Sequence, residues 1–258
     1  MSTELQVPKN IAAMLANKNV ANVQQMDTGS GGVPRISLKK SKFTAKNGEE
    51  EIKLGEEIHV VILGIDPPIG FAKTFYESGY TAGSADAPDC SSDDGVRPNS
   101  FVNDPQHDKC ATCPKNQWGS AKSMSGKKAK ACKDSKRLHV KLAEELDNPD
   151  APIYIMGVTV LSLKPFGDYG KSLAKQGIPT PSIVITKLGF DEDASVPKLT
   201  FEAVGVMDEA NCTKALEIAE EKPWDSFKNT APVANKQAIE APVESEEAKV
   251  DADALNNW

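Results

Sequence analysis

The sequence has no hydrophobic segment long enough to cross a membrane and no recognisable export signal. None of its apolar runs approaches the roughly 20 residues that a transmembrane helix needs. Its first residues, MSTELQVPKNIAAMLANKNV, lack a basic start followed by a long apolar run, so no secretory signal is expected. These two absences predict a cytoplasmic protein with no membrane partner.

Cysteine and histidine are scarce, with five and three residues in the chain of 258. In the cytoplasm the thiols are expected to be reduced, and clustered reduced cysteines are more often metal ligands than disulfides. Four of the five lie between residues 90 and 132. The fifth, Cys212, falls in a predicted helix, where a core role is expected.

The chain also lacks an excess of positive charge, since its formal net charge is -7. This value argues against a uniformly basic nucleic-acid-binding protein, but the charge is unevenly distributed. Residues 240–258 contain six acidic side chains and one lysine, which accounts for -5 of the -7. The rest of the chain is therefore near neutral and can carry a local basic surface.

Short runs of β-branched and aromatic residues, bounded by turn residues, predict a mainly β fold. The Asn47-Gly48 pair is typical of a hairpin turn. Helices are predicted at 8–18, 164–177 and 208–221, the last with Asp208 as its N-cap. A β-barrel or sandwich of six to eight strands with a few short helices is expected. The predicted strand segments are 35–38, 41–54, 57–67, 70–80, 137–145, 151–163, 181–192 and 197–208, with a loop after the fourth at 81–84.

Changes in composition divide the chain into three parts. Residues 1–34 are predicted to form an N-terminal helix and a mobile Gly-rich linker, and residues 35–222 the β domain. Residues 223–258, rich in Ala, Pro and Glu, are expected to be a disordered acidic tail. The segment at about 85–137 has too few aliphatic residues to form an apolar core, so we expect an insertion held together in another way.

The cysteines of that insertion predict a structural zinc site. Cys110 and Cys113 form a C-x-x-C pair, which supplies two of the four ligands of tetrahedral zinc. Cys90 and Cys132 flank the pair, separated from it by 19 and 18 residues. His107 is the alternative ligand in place of Cys90 or Cys132. Four sulfur ligands would leave no open position for catalysis, so the predicted role of the zinc is structural.

Two other interpretations of the cysteines remain open. They are reduced thiols in a polar loop, or Cys110 and Cys113 form a thioredoxin-like redox pair. The second lacks the βαβ context that such a pair usually has.

The same insertion carries the strongest concentration of positive charge. A basic surface of this kind can contact phosphates, and aromatic rings beside it can stack on bases. A lysine run is more often a solvated face, however, and aromatic residues of a strand are more often core. The candidate nucleic-acid contacts are Lys122, Lys127, Lys128, Lys130, Lys133, Lys136, Arg137, Trp118, Phe75, Tyr76 and Tyr80.

The acidic tail resembles the C-termini of bacterial and phage single-stranded DNA-binding proteins. Its carboxylates precede a terminal aromatic residue, here a tryptophan where phenylalanine is more usual in those families. In those families the tail docks on replication and repair partners and competes with DNA for the protein's own basic groove. The residues that the resemblance assigns to docking are Glu246, Glu247, Asp251, Asp253 and Trp258.

The block CATCPKNQWGS…GKKAKACK is similar to a cysteine-rich block of tailed-phage proteins of the same broad kind. Some phage single-stranded DNA-binding proteins are OB-folds with an inserted structural zinc module. The resemblance therefore implies an OB-like barrel carrying a zinc-stabilised insertion. If a phage encodes the chain, its expected location is the cytoplasm of the host cell.

The function implied is non-enzymatic coating and protection of single-stranded DNA during phage DNA replication and recombination. The tail would dock a polymerase or helicase and inhibit DNA binding when no strand is present. The alternative is a zinc-containing transcription or recombination factor that binds duplex DNA or RNA polymerase. An enzyme is disfavoured because the sequence has no paired-carboxylate metal motif, no H-x-E…P-C-x-x-C pattern and no GxxxxGK[ST] loop. RNA as the strand, and self-association, remain open.

Overall fold

The computed structural model describes residues 33–79, 87–123 and 126–227. Within them the chain is mainly β, as predicted, and no helix is long and apolar enough to cross a membrane. The predicted N-terminal helix, Tyr80 and residues 228–258 of the predicted tail lie outside these ranges. The first residues of the predicted tail are ordered, because Pro223–Phe227 form a 3₁₀ helix in which the Trp224 ring is buried. The elements are β1 (Arg35–Lys39), β2 (Lys42–Asn47), β3 (Glu50–Gly55), β4 (Ile58–Asp66), β5 (Ala72–Phe75), β6 (Cys90–Ser92), β7 (Ala121–Lys122), β8 (Lys128–Ala129), β9 (Lys133–Leu142), β10 (Tyr154–Thr159), α1 (Val160–Lys175), β11 (Val184–Phe190), β12 (Leu199–Val206) and α2 (Glu209–Glu221).

Ten of the strands form one sheet that curls into a half-barrel. Its main path is β12-β11-β4-β9-β10-β1-β2-β3, and only β1 and β10 pair in parallel. The curl brings Phe43 of β2 to Phe190 of β11, with ring centroids 4.6 Å apart, although four strands separate them in the path. Within the described residues β12 and β3 are not paired with each other, so the sheet is not closed by hydrogen bonds.

The main core fills the inside of the curl. Strand β4, IHVVILGID, is apolar on both faces, which is typical of a strand covered on both sides. Its Ile62 faces the main core, together with Leu138 of β9 and Leu188 of β11. Its Val61 and Leu63 face outward, beneath α2 and the buried ring of Trp224.

Helix α1 packs over the curl, against β12, β9 and β10. The Ser162 hydroxyl accepts a hydrogen bond from the Leu199 amide at 2.9 Å, and the Tyr169 and Thr186 hydroxyls are 2.7 Å apart in the buried core.

The strand prediction at 151–163 is wrong beyond residue 159, because the chain enters α1 at Val160. The alternating VLSL segment resembles a strand, but its buried face packs on β12 as a helix.

Two local predictions are confirmed. Gly48 has a φ of 61° in the turn between β2 and β3, a conformation that suits glycine. Helix α2 begins after Asp208, whose carboxylate accepts a hydrogen bond from the Asn211 amide at 2.9 Å.

Strand β9 connects the half-barrel to the cysteine-rich region. Its residues 137–142 pair with β4, whereas residues 133–135 pair with β5. β5 in turn pairs with β6, so this short three-stranded extension projects from the main sheet. It carries residues 87–123 and 126–132, which we call the cysteine module.

Candidate metal centre and nucleic-acid surface

The four predicted metal ligands lie around one small cavity of about 20 Å³. Cys90 begins β6, opposite Phe75 of β5 in the ladder, and Cys132 directly precedes β9. Cys110 and Cys113 reach the same cavity from the loop between β6 and β7. Three of the cysteines are buried and Cys90 is half-buried. Residues that are far apart in the chain therefore line one cavity where the extension meets the loop.

The C-x-x-C segment is a tight turn held by main-chain hydrogen bonds. The Cys113 amide donates to the Cys110 carbonyl at 3.4 Å, and Pro114 then starts a short 3₁₀ turn. The Cys132 amide donates to the Lys115 carbonyl at 2.9 Å, which joins the turn to the start of β9. The Asn116 amide group donates to the Cys110 carbonyl at 2.7 Å. These bonds fix three of the four cysteines relative to one another.

Burial and the neighbouring cysteines raise the pKa of two of these thiols, Cys110 and Cys132. Burial raises the pKa of the Cys132 thiol to about 11, outweighing the opposing effect of the Lys73 ammonium. Burial also raises the pKa of Cys110, against a hydrogen bond with Ser92, and the neighbouring cysteines raise the pKa of both thiols. A divalent cation in the cavity would offset two of the four negative charges of four thiolates, and it would favour their ionisation because cysteines bind metal in their deprotonated form.

The cavity has room for one small occupant, since a single water molecule needs about 10–15 Å³ measured in this way. No group of three or more His, Cys, Asp or Glu side chains in residues 33–79, 87–123 and 126–227 is arranged so that it could hold a metal ion. The four cysteines line one cavity without forming a closed ligand set, so zinc stays a prediction.

His107 and Cys212 occupy different positions relative to the cavity. His107 lines it but is exposed, and its Nδ1 accepts a hydrogen bond from the Lys109 amide at 3.2 Å. His107 therefore stays the alternative fourth ligand. Cys212 lies on α2, away from the cavity, with its sulfur 3.4 Å from the Met207 carbonyl.

Polar side chains, rather than aliphatic ones, support the module. Asn99 is buried and donates to the Ser91 hydroxyl at 3.2 Å and to the Asp93 carboxylate at 3.1 Å. Asp93 also pairs with Arg137 of β9, which ties this loop to the main sheet. No local motif marks Asn99 as a support, so sequence analysis missed it.

Asp134 is a second polar support, at the base of the module. It pairs with Lys73 at 2.5 Å and with Lys130 at 3.0 Å. Burial alone would raise the pKa of Asp134, but the hydrogen bonds from these lysines lower it overall. Lys73 was also missed, because its proximity to Asp134 depends on the pairing of β5 with β9.

Four of the seven predicted basic contacts have partners within the protein. Lys130 and Arg137 form the ion pairs described above. The Lys133 ammonium donates to the Lys130 carbonyl at 2.7 Å, and Lys136 donates to the Pro67 carbonyl at 2.5 Å. Their positive charges hold the module and its neighbouring turn in place, so they are poorer candidates for phosphate contacts than their sequence positions suggest.

The other three lysines lie on the β7–β8 hairpin and are exposed. Lys122 and Lys128 are directly opposite each other in the ladder, so their side chains lie on one face. Trp118, with 72% of its surface exposed, precedes Gly119, whose amide donates to the Ala129 carbonyl at 3.0 Å. We call Trp118, Lys122, Lys127 and Lys128 the hairpin surface.

The predicted aromatic contacts of β5 lie elsewhere. Phe75 is only 4% exposed and lines the cysteine cavity, with the Lys115 ammonium 5.0 Å from its ring centroid. Its ring belongs to the interior of the module and is not available to a base, which corrects the expectation for this residue. Tyr76 is half-buried. Among the predicted aromatic contacts described by the structure, Trp118 alone is highly exposed.

The chain matches no protein-family model, no curated protein and no solved structure. The case for a function therefore depends on the residues and the geometry of the cysteine module.

Proposed function

We propose that this protein binds single-stranded DNA without catalysing a reaction. The observation that carries the proposal is the hairpin surface, where three exposed lysines and an exposed tryptophan project from one tip of the cysteine module. The proposed role is to coat and protect the strand during phage DNA replication and recombination.

The hairpin surface has the charge of a site for a phosphate chain. Like charges directly opposite each other destabilise a β-ladder, so the Lys122–Lys128 pair costs stability unless an anion lies between or above the two ammonium groups. In residues 33–79, 87–123 and 126–227 neither lysine enters an ion pair, and the same is true of Lys127. Phosphates of a nucleic-acid chain would supply that anion and release their own counterions.

Trp118 favours a single strand over a duplex as the ligand. An exposed indole can stack on an unpaired base, whereas the bases of a duplex are already stacked on one another. Stacking of this kind contributes about 1–3 kcal/mol per base and depends little on sequence. Non-sequence-specific binding is what a strand-coating protein requires.

Zinc would have a structural role in this account. The residues present fit it in number and chemistry, with Cys90, Cys110, Cys113 and Cys132 as ligands and His107 as the alternative fourth ligand. When bound, the ion would supply four metal–sulfur links between β6, the C-x-x-C turn and the start of β9. These cysteines would then hold the hairpin surface in a fixed position relative to the half-barrel.

An OB-like character of the half-barrel and the role of the acidic tail belong to the same proposal. The curled sheet supports the first, because OB folds are curled, partly open barrels that bind strands. For the second, residues Glu246–Trp258 would dock a polymerase or helicase and occupy the basic surface when DNA is absent. Deleting residues 239–258 should then raise DNA affinity, most strongly at low salt, and unchanged binding would contradict the inhibitory role.

The test is a titration of the full-length protein with poly(dT) and with a duplex of matched length, at two salt concentrations. Tryptophan fluorescence and the anisotropy of a labelled strand would both report binding. We expect the protein to bind poly(dT) more tightly than the duplex, and its affinity for poly(dT) to fall as the salt concentration rises. Tighter binding to the duplex would favour a transcription or recombination factor instead, and no binding to either would contradict the proposal. A matched RNA strand would show whether DNA is preferred.

A further inference from the structure

A wide groove lies between α1 and the turn that joins β4 to β5. It has a volume of about 630 Å³, within the range of small-molecule and cofactor sites. Its lining is mostly apolar and aromatic. The residues that matter for its chemistry are Phe71, Lys136, Leu163, Phe166, Gly167 and Ile178.

The groove has an exposed aromatic ring beside a cation. Phe71 keeps 39% of its surface exposed, and the Lys136 ammonium lies 5.9 Å from its ring centroid. Lys136 is the only charged residue in the lining. An exposed aromatic face can stack on an unpaired base, and the Lys136 ammonium, held by the Pro67 carbonyl, adds positive charge beside that face.

The helix along one side of the groove is basic. Helix α1 carries Lys164, Lys171 and Lys175 against a single acid, Asp168. Asp168 pairs with both Lys164 and Lys171, so the helix keeps a net charge of +2, three bases less one acid. An apolar floor beside a basic helix suits a polyanion with apolar, planar side groups better than it suits an apolar helix of another protein.

The groove adjoins the cysteine module at the β4–β5 turn. Gly95 of the module packs so closely on the β4–β5 turn that a Cβ atom there would lie 2.1 Å from the Phe71 carbonyl oxygen. Strand β9 also borders both, because Cys132 precedes it and Lys136 lies within it. The β4–β5 turn and β9 therefore connect the two regions that a bound strand would contact.

We propose that the groove receives unstacked bases of the same strand whose phosphates bind the hairpin surface, with Phe71 as the stacking ring. The inference rests on the proposed function and names a second contact region for the same ligand. The binding site is then bipartite: lysines of the module hold the phosphates, and the groove beside α1 holds bases.

The test compares oligo(dT) with an abasic oligonucleotide of the same length, because the two share phosphates and differ in bases. To remove the contribution of the hairpin indole, it uses the full-length Trp118→Ala variant. We expect this variant to bind oligo(dT) about tenfold more tightly than the abasic strand. Adding Gly167→Leu should abolish that preference and leave abasic affinity unchanged. A Cβ at Gly167 meets nothing within 4 Å, so the larger side chain enters the groove without a backbone clash.

A second pair of variants separates loss of the groove from loss of folding. Phe71→Ala in the same background should also abolish the preference, whereas Ile69→Ala should keep it. Ile69 lies in the same turn, is 87% exposed and does not line the groove. Equal binding of both strands by the Trp118→Ala variant, or a preference that survives Gly167→Leu, would overturn the groove assignment. Failure of the unmodified protein to bind any strand would instead overturn the proposed function itself.

Discussion

The half-barrel and the cysteine module are stabilised by different kinds of interaction. The half-barrel has a continuous apolar core, in which Ile62, Leu138 and Leu188 are fully buried. The module has almost no aliphatic interior. Its buried groups are three cysteines, two serines, Asn99 and the ring of Phe75 at its base. A region with so little apolar burial needs another stabilising interaction. A metal ion bound in the cysteine cavity would supply it.

The two regions also differ in charge. Residues 87–132 contain seven basic and five acidic residues, a net charge of +2, whereas residues 33–79 and 133–227 of the half-barrel contain 18 basic and 23 acidic residues, a net charge of -5. A small module that relies on cysteines and polar bonds can present most of its surface to a ligand, because few of its side chains are needed for a core. The half-barrel positions that surface through β9.

Removing one cysteine should produce the largest difference between the two regions. We expect Cys132→Ser to lose bound zinc and to unfold the module, because structural zinc contributes apparent folding free energies of about 10–16 kcal/mol in zinc-finger peptides. The half-barrel should remain folded. Metal analysis of the purified protein would report zinc per chain, and limited proteolysis would report new cleavage between residues 87 and 132.

The matched control is Cys212→Ala, which removes a half-buried cysteine outside the cavity. This variant should keep its zinc and its resistance to cleavage in the module. If the unmodified protein contains no zinc, or if the protease cleaves Cys132→Ser no faster than Cys212→Ala, a metal ion does not stabilise the module.

A substitution that creates a cavity in the core of the half-barrel should have the opposite effect: it should lower the stability of the half-barrel and leave zinc binding unchanged. Leu188→Ala removes a fully buried side chain from the main core and should lower the free energy of unfolding by about 2–5 kcal/mol. The variant protein that remains folded should still bind zinc at the same ratio. Denaturant unfolding followed by metal analysis would test both points. Leu161→Ala, at a half-exposed position of α1, is the control and should change stability by less than about 0.5 kcal/mol. Zinc loss from folded Leu188→Ala would mean that the two regions are not independent.

Sequence patterns were most informative where chemistry is local. Alternating and continuous apolar runs predicted most strands of the half-barrel, and Asp208 and Asn47-Gly48 predicted a cap and a turn that are present. The VLSL segment after Thr159 was assigned to a strand because apolar alternation alone does not distinguish it from the first turn of α1. The curl itself depends on contacts such as Phe43 with Phe190, which no local pattern encodes.

In the candidate site, the sequence identified the residues that come together better than it identified what each of them does. The four cysteines were identified by their spacing, and they do share one cavity. The basic run was identified as one surface, but Lys130, Lys133, Lys136 and Arg137 bond to groups within the protein. Those partners become visible only when β5, β6 and β9 are paired.

Truncating the exposed indole should weaken strand binding without affecting either region's fold. We expect Trp118→Ala to reduce affinity for oligo(dT) by about 1–3 kcal/mol, because one stacking contact is lost. Its melting temperature should stay unchanged, since Trp118 is 72% exposed. Fluorescence anisotropy with a labelled strand measures the affinity. Val96→Ala, at another exposed apolar position of the module, should bind as tightly as the unmodified protein; equal affinity of Trp118→Ala would remove the indole from the site.

The smallest predicted effect concerns helix α2, on the outer face of β4. Asp208→Ala removes the N-cap of α2 and should destabilise the half-barrel by about 1 kcal/mol. Because α2 covers the outer face of β4, far in the chain from the four cysteines of the cavity, zinc content and strand affinity should not change. Thermal unfolding measures the first effect and strand titration the second. A loss of strand affinity as large as that of Trp118→Ala would show that α2 supports the binding surface.

The salt dependence of strand binding tests the central claim most directly. The measurement compares the affinity for oligo(dT) across a series of salt concentrations in the unmodified protein and in Lys122→Ala/Lys127→Ala/Lys128→Ala. Each phosphate contact to a single strand contributes about 0.7 to the slope of log affinity against log salt. We expect the triple variant to bind more weakly with a slope that is less steep by about 2. An unchanged slope and affinity would contradict a strand-binding role for the hairpin surface.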